Sequence, residues 1–150
     1  MAASRQATEG VGSTVTINLS VNYLAVIAAT VFALVFGFVY YAPQVFGKRW
    51  MAYLGTTQAQ LGQPGPMGIA TGIVASFVNA WVLATLSLNL GGKTLADGAM
   101  LGALAWLGFM ATLTAAQISF EKKPWGLWLL NNGHNVIAQV VMAAIVTVWR

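Results

Sequence analysis

The chain has 150 residues, of which 58% are hydrophobic and 7% charged, with a formal net charge of +4, and its mean hydropathy is +0.73. That balance lies outside the range of soluble domains and reads as one integral membrane domain. The few cations stand between apolar runs, as topology and headgroup signals rather than a nucleic-acid face, and the lack of cysteine excludes disulfides, thiolate metal sites and a cysteine nucleophile.

Residues 1–20 are polar and small, with Arg5 and Glu9 nearly cancelling, and they lack the basic start and apolar run of a signal peptide. They read as a tail outside the membrane. Residues 14–19 alternate polar and apolar like a strand with no sheet to join, and Asn18-Leu19-Ser20 fits a glycosylation sequon that lies too near a span to carry weight.

Residues 21–42 are uncharged and long enough to cross a ~30 Å hydrocarbon core, with Asn22 as a cap and Pro43 as a stop. Ala25, Ala29, Ala33 and Gly37 recur every fourth residue, a smooth stripe that predicts a helix-packing seam, because close approach rather than hydrophobicity joins helices in lipid. In Phe46-Gly47-Lys48-Arg49-Trp50-Met51-Ala52-Tyr53, aromatic residues flank two cations, which predicts a segment lying at headgroup level. Residues 56–66, with two prolines and two glycines, break the chain.

The second span is predicted over 67–90, with Gly68, Gly72, Ser76 and Asn79 on one face; the glycines suit helix packing and Asn79 adds an amide within the membrane. A short turn through Gly91 and Gly92 predicts that spans two and three are antiparallel neighbours. The third span, 95–119, places Ala99, Ala103, Trp106, Met110, Thr114 and Gln117 on one face. Its loop, Phe120-Glu121-Lys122-Lys123-Pro124-Trp125, repeats the order of the first loop, which fits either two related hairpins or the common make-up of a cationic membrane edge. The fourth span, 126–149, ends with Trp149 and Arg150 at the opposite interface. The expected fold is therefore all-α: a polytopic membrane protein with four transmembrane helices in an antiparallel bundle and an interfacial aromatic and basic segment after the first. Lys48, Arg49, Lys122 and Lys123 stand on one side against Lys93 and Arg150 on the other, so the loops after spans one and three are expected in the cytoplasm.

The fourth span contains the densest polar cluster. At ~100° per residue, Asn131, Asn132, His134, Asn135 and Gln139 share one half of the helix, while Leu129, Leu130, Gly133, Ile137, Val140, Val141, Ala144 and Val148 form an apolar half suited to lipid. An unsatisfied amide in hydrocarbon costs several kcal/mol, so the polar half predicts an inward seam with Asn79, Ser76, Thr114 and Gln117 as partners. It serves either as interhelical glue or as a pocket for a polar solute, lipid headgroup or quinone.

No cofactor or metal is expected, and the alternative is axial ligation of a haem or chlorophyll-type magnesium by His134, the sole histidine. Zinc lacks its usual set, since no second histidine, cysteine or membrane carboxylate is present. Acid-base or nucleophilic catalysis is poorly served by Glu9, Asp97 and Glu121, all outside or at span ends, and a Ser76–His134 dyad is weaker than a packing role for Ser76. Most aromatic residues read as interface anchors; Trp106, near mid-span, reads as core or as part of a pocket with His134.

Asn22-Tyr23-Leu24-Ala25-Val26, Tyr40-Tyr41-Ala42-Pro43 with Phe46-Gly47-Lys48-Arg49-Trp50, the Trp-Leu-Gly-Phe at 106–109, Phe120-Glu121 with Pro124-Trp125, and Asn131 with His134 together resemble a bacterial membrane family, the domain of unknown function family 1761. The resemblance runs from residue 21 to the end, with residues 1–20 departing from it, and implies a four-helix membrane domain without an activity. It places the chain in the bacterial inner membrane. The expected function is non-enzymatic: a bundle that contacts lipid and either self-associates or docks as an accessory subunit on a larger membrane complex, respiratory or photosynthetic. The alternative is a bundle that binds or carries a small solute, lipid or quinone at the seam.

Overall fold

The computed structural model describes residues 16–150; most of the polar tail and the start of the strand-like stretch lie outside the described residues. Residues 16–22 form no helix or strand and are tied to the second long helix, where Asn18 N–H donates to Asn89 Oδ1 at 2.9 Å and Asn89 Nδ2 donates to Asn18 O at 2.9 Å.

Helix α1 (Tyr23–Tyr40) opens on Asn22, whose side chain accepts from the Leu24 and Ala25 N–H groups, satisfying two donors that the first turn leaves free. Pro43 ends it by holding Ala42 extended. A π-helical turn (Pro43–Gly47) then leads into α2 (Lys48–Leu54). Gly47 is required there, since a Cβ would lie 2.9 Å from the Ala42 carbonyl carbon. Helix α3 (Gln58–Leu61) starts with a Thr57–Gln60 capping box, and α4 (Pro66–Asn89) with proline in its first turn. A Thr94–Asp97 capping box opens α5 (Leu95–Ala105), which runs through a π-helical turn (Trp106–Ala111) into α6 (Thr112–Phe120). The last helix is α7 (Trp125–Val148).

Among the described residues, four helical rods are long and apolar enough to cross a membrane: Tyr23–Tyr40, Pro66–Asn89, Leu95–Phe120 and Trp125–Val148. The fold is all-helical, a polytopic four-span bundle. Helix α7 is its axis and packs against α1, α4 and α5. The core joins Ala25, Val26 and Ala29 of α1, Ala80, Leu83 and Ala84 of α4, and Met142, Ala143 and Val146 of α7. On α1, Ala25 and Ala29 are fully buried and Ala33 packs against the same core; Gly37 faces His134.

A pair of glycines brings the α5 backbone onto the α7 backbone. A Cβ on Gly98 would lie 2.7 Å from Ala144 Cα, and one on Gly102 would lie 2.7 Å from Val140 Cα. Backbone therefore meets backbone, the geometry that Gly-x-x-x-Gly spacing permits.

The structure bears on four of these expectations. Among the described residues nothing packs against Gly68 or Gly72, since a Cβ on either would meet no atom within 4 Å. The bundle buries only the second half of α4, through Ala80, Leu83, Ala84, Thr85 and Ser87, and the glycines lie on the half that stands clear. Spans two and three are joined by a short turn and touch, as expected of antiparallel neighbours, while α5 packs mainly along α7, where Gly98 and Gly102 seat backbone on backbone. The apolar half of α7 is not all lipid-facing: Leu130 and Ala144 are buried, while Leu129, Ile137 and Val148 are exposed, because a helix with three packed neighbours has only a narrow outer strip. The two similar loops fold differently, the first into a π-helical turn and two short helices and the other into residues 121–124 alone.

Candidate functional site

The polar positions of α7 are used in successive layers. Deepest, Gln139 and Asn79 exchange both amide bonds, Asn79 Nδ2 to Gln139 Oε1 at 3.1 Å and Gln139 Nε2 to Asn79 Oδ1 at 3.3 Å, while Gln139 Nε2 also reaches Met110 Sδ at 3.0 Å. This pair bolts α4 to α7. It satisfies two amides in hydrocarbon by their mutual contact.

The next layer joins the third rod to α7. Trp106 Nε1 donates to Asn132 Oδ1 at 3.1 Å, Asn132 Nδ2 donates to Thr114 Oγ1 at 3.1 Å and to Trp128 O at 3.2 Å, and Trp128 Nε1 donates to Thr114 Oγ1 at 3.1 Å. Thr114 passes its own proton to Met110 O at 2.6 Å. The π-helical turn makes this layer possible. In a regular α-helix, residues four apart drift about 40° around the axis at each step, whereas the wider turn lets Trp106, Met110 and Thr114 all reach α7.

His134 lies apart from that network, against α1. Its ring stacks on Phe36 at 5.2 Å and 9°, with Tyr40 and Tyr41 at 5.3 and 5.2 Å, and Phe32 extends the stack beyond Phe36. Its Nδ1 is 3.1 Å from Asn135 Oδ1, a contact that favours the tautomer protonated at Nδ1. Its Nε2 is buried with no hydrogen-bond partner among the described residues and lies 3.4 Å from where a Cβ on Gly37 would stand. A macrocycle needs an open face above the ligating nitrogen, and here Gly37 and the aromatic rings occupy it. Haem or chlorophyll ligation does not fit this pocket. Ser76 makes no hydrogen bond to His134 among the described residues; the ring faces α1.

Towards the loops the seam opens into a crevice of about 570 Å³. Asn131, Asn132 and Asn135 of α7 form its floor, Thr114 and Gln117 of α6 one wall, and Tyr41 with Trp50 of α2 the other. Tyr41 OH donates to Asn131 Oδ1 at 3.0 Å, and Tyr40 OH donates to Leu130 O at 2.9 Å, so the end of α1 is hydrogen-bonded to α7. At the mouth, Gln117 Nε2 donates to Glu121 Oε1 at 2.8 Å and Lys123 Nζ meets Glu121 Oε2 at 2.7 Å. The Lys123 and Gln117 contacts hold the Glu121 carboxyl below the usual carboxylate range, so it stays ionised at neutral pH.

Of the seam residues read from the sequence, Asn131, Asn135 and Gln117 line the crevice, whereas Asn79 and Gln139 form a closed pair one layer deeper. Gln117 bonds to Glu121 rather than to the α7 amides. Asn132 and Thr114, both expected in the seam, meet as the hub between α6 and α7. Two features have no counterpart in that reading: Phe32, Phe36 and Tyr40 build the cradle for His134, and Gly98 with Gly102 sets the α5–α7 distance. The four-residue spacings of Phe32-Phe36-Tyr40 and Gly98-Gly102 were visible signals.

Residues 24–147 match the family model of the protein of unknown function DUF1761, and the chain belongs to that family. Neither the curated proteins nor the solved structures give a match.

Proposed function

We propose that this protein is a non-enzymatic binding bundle of a bacterial inner membrane that takes a small amphiphilic molecule into the crevice between α2, α6 and α7. The single observation that carries this reading is the open 570 Å³ space floored by Asn131 and Asn135, a size within the ordinary range of small-molecule sites. Amides whose purpose was only to join helices would be closed on one another, as Asn79 and Gln139 are. Three observations favour binding over catalysis: Glu121 is spent on Gln117 and Lys123, Asp97 on the N–H groups that open α5, and Thr114 on its tryptophan and asparagine donors. Lys48, Arg49, Lys122 and Lys123 lie on the loop side, so the positive-inside rule puts the crevice mouth in the cytoplasmic leaflet.

The test is native mass spectrometry of protein purified from its own membranes in mild detergent. The expected result is a small molecule retained by the wild type and lost from Gln117→Trp, which fills the mouth. Equal retention in both, or an empty wild type, sinks the reading.

A second reading, association with another copy or with the subunits of a larger membrane complex of respiratory or photosynthetic type, is favoured by the free half of α4. There Gly68 and Gly72 offer close approach that no helix of this chain takes up. Cross-linking in native membranes discriminates it: a defined partner whose yield falls in Gly72→Leu supports docking, and a monomer in both proteins removes it.

A further inference from the structure

We propose that the crevice recognises neutral carbonyl oxygens on an apolar-tailed molecule, through the side-chain N–H groups of Asn131 and Asn135. This rests on the crevice being a binding site and names what it selects. Most polar groups of the crevice are already spent. Asn132 gives its oxygen to Trp106 and its nitrogen to Thr114 and Trp128 O. Asn131 Oδ1 accepts from Tyr41, and Asn135 Oδ1 pairs with His134 Nδ1. What remains is Nδ2 on each of Asn131 and Asn135, neither with a hydrogen bond among the described residues, together with the indole N–H of Trp50, also without one. All three residues line the crevice. Apart from Gln117 Oε1 at the mouth, the unspent side-chain groups are thus donors, and the amide donors of the floor select a ligand that brings acceptors inward.

Depth decides the charge of that ligand. Asn131 and Asn135 lie six and ten residues past Trp125, the first residue of α7, or about 9 and 15 Å along the helix, which reaches towards the middle of a ~30 Å core. A phosphate or carboxylate there would need a cation to offset its desolvation. The cation lining the crevice, Lys123, is at the mouth and already paired with Glu121. Neutral carbonyls meet the requirement, since each accepts one amide N–H without carrying charge inward. The two donors sit one turn apart on the same face, about 6 Å, so they suit two carbonyls in one molecule. The rings of Tyr41 and Trp50, 5.7 Å apart and nearly perpendicular, wall the same space. A quinone ring and the paired esters of a diacyl lipid both present this chemistry.

The test uses decylbenzoquinone and decylbenzene, which share a tail and differ in the carbonyls, added at equal concentration to detergent-purified protein and read by native mass spectrometry. The absence of cysteine removes covalent capture of the quinone by a thiol. Expected is retention of the quinone over decylbenzene, with affinity reduced about three- to tenfold in Asn131→Leu and again in Asn135→Leu, the loss of one hydrogen bond each. Asn135→Leu also releases His134 Nδ1 and Asn131→Leu releases Tyr41 OH, so each variant is first checked for a folded peak by size-exclusion chromatography, and either one that folds carries the conclusion. Displacement of bound quinone by a diacyl phospholipid would assign the carbonyls to lipid esters, and lack of displacement to a ring; both keep amide recognition. Equal retention of the two probes, each lost in Gln117→Trp, overturns carbonyl recognition and leaves the crevice standing. Unchanged quinone affinity in Asn131→Leu overturns it as well, as does retention of neither probe by a protein that carries a native occupant in the crevice.

Discussion

Replacing Gly102 by alanine tests whether backbone contact between α5 and α7 holds the third span in place. On propensity alone the change favours the helix by about 1 kcal/mol. The structure sets a larger opposing effect, because the new Cβ would lie 2.7 Å from Val140 Cα, and the neighbour is backbone with no rotamer to yield. The rods must part, and overpacking of this kind costs typically 1–3 kcal/mol. Backbone-on-backbone crowding belongs at the upper end, so the net effect is a loss of about 2 kcal/mol. Gly108 supplies the control. It lies in the same rod but meets no atom within 4 Å, so Gly108→Ala should be neutral or stabilising by up to about 1 kcal/mol. Heating the purified variants in detergent and following the folded peak by size-exclusion chromatography reads the difference. A Gly102→Ala protein that survives heat as well as the wild type, or a Gly108→Ala protein that falls equally far, would refute the account of the interface.

Three further outcomes follow from the layers of α7. Gln139→Leu should destabilise by about 1–3 kcal/mol by stranding Asn79, and adding Asn79→Leu should recover part of that loss; strictly additive losses in the double variant would show that the pair does not act as a unit. The purified protein should show no Soret or far-red absorption, because Nε2 of His134 is sealed beneath Gly37; a pigment band that disappears in His134→Ala would overturn that geometry. The Glu121 carboxyl is held below its ordinary range by Lys123 and Gln117. Its contribution to stability is therefore complete above the unfolded carboxylate pKa and lost as pH falls through the lower folded value. Thermal survival measured from pH 6 down to about pH 3 should decline slightly more in wild type than in Glu121→Gln, and identical profiles would show the mouth contacts to be of no consequence.

The four spans were legible because membrane helices announce themselves by length and apolar content, which need no knowledge of neighbours. Which helix touches which was less so. Four-residue spacing marks Ala25 and Ala29 as a packing seam, and both are buried, while Gly68 and Gly72, marked by the same rule, meet nothing among the described residues. Small-residue spacing states that a face permits close approach, but whether a partner arrives depends on the tilt of rods that no local pattern encodes. Gly98 and Gly102 carry the same spacing, and there the α5 backbone does meet the α7 backbone. The polar seam shows the corresponding limit for side chains. Periodicity put Asn131, Asn132, Asn135 and Gln139 on one half of α7, yet it could not separate Gln139, closed on Asn79, from Asn131 and Asn135, which keep N–H groups to spare. That separation depends on Tyr41 and His134 occupying the asparagine oxygens, two contacts distant in sequence or invisible to a helical wheel. The site lies in the donors those contacts leave over.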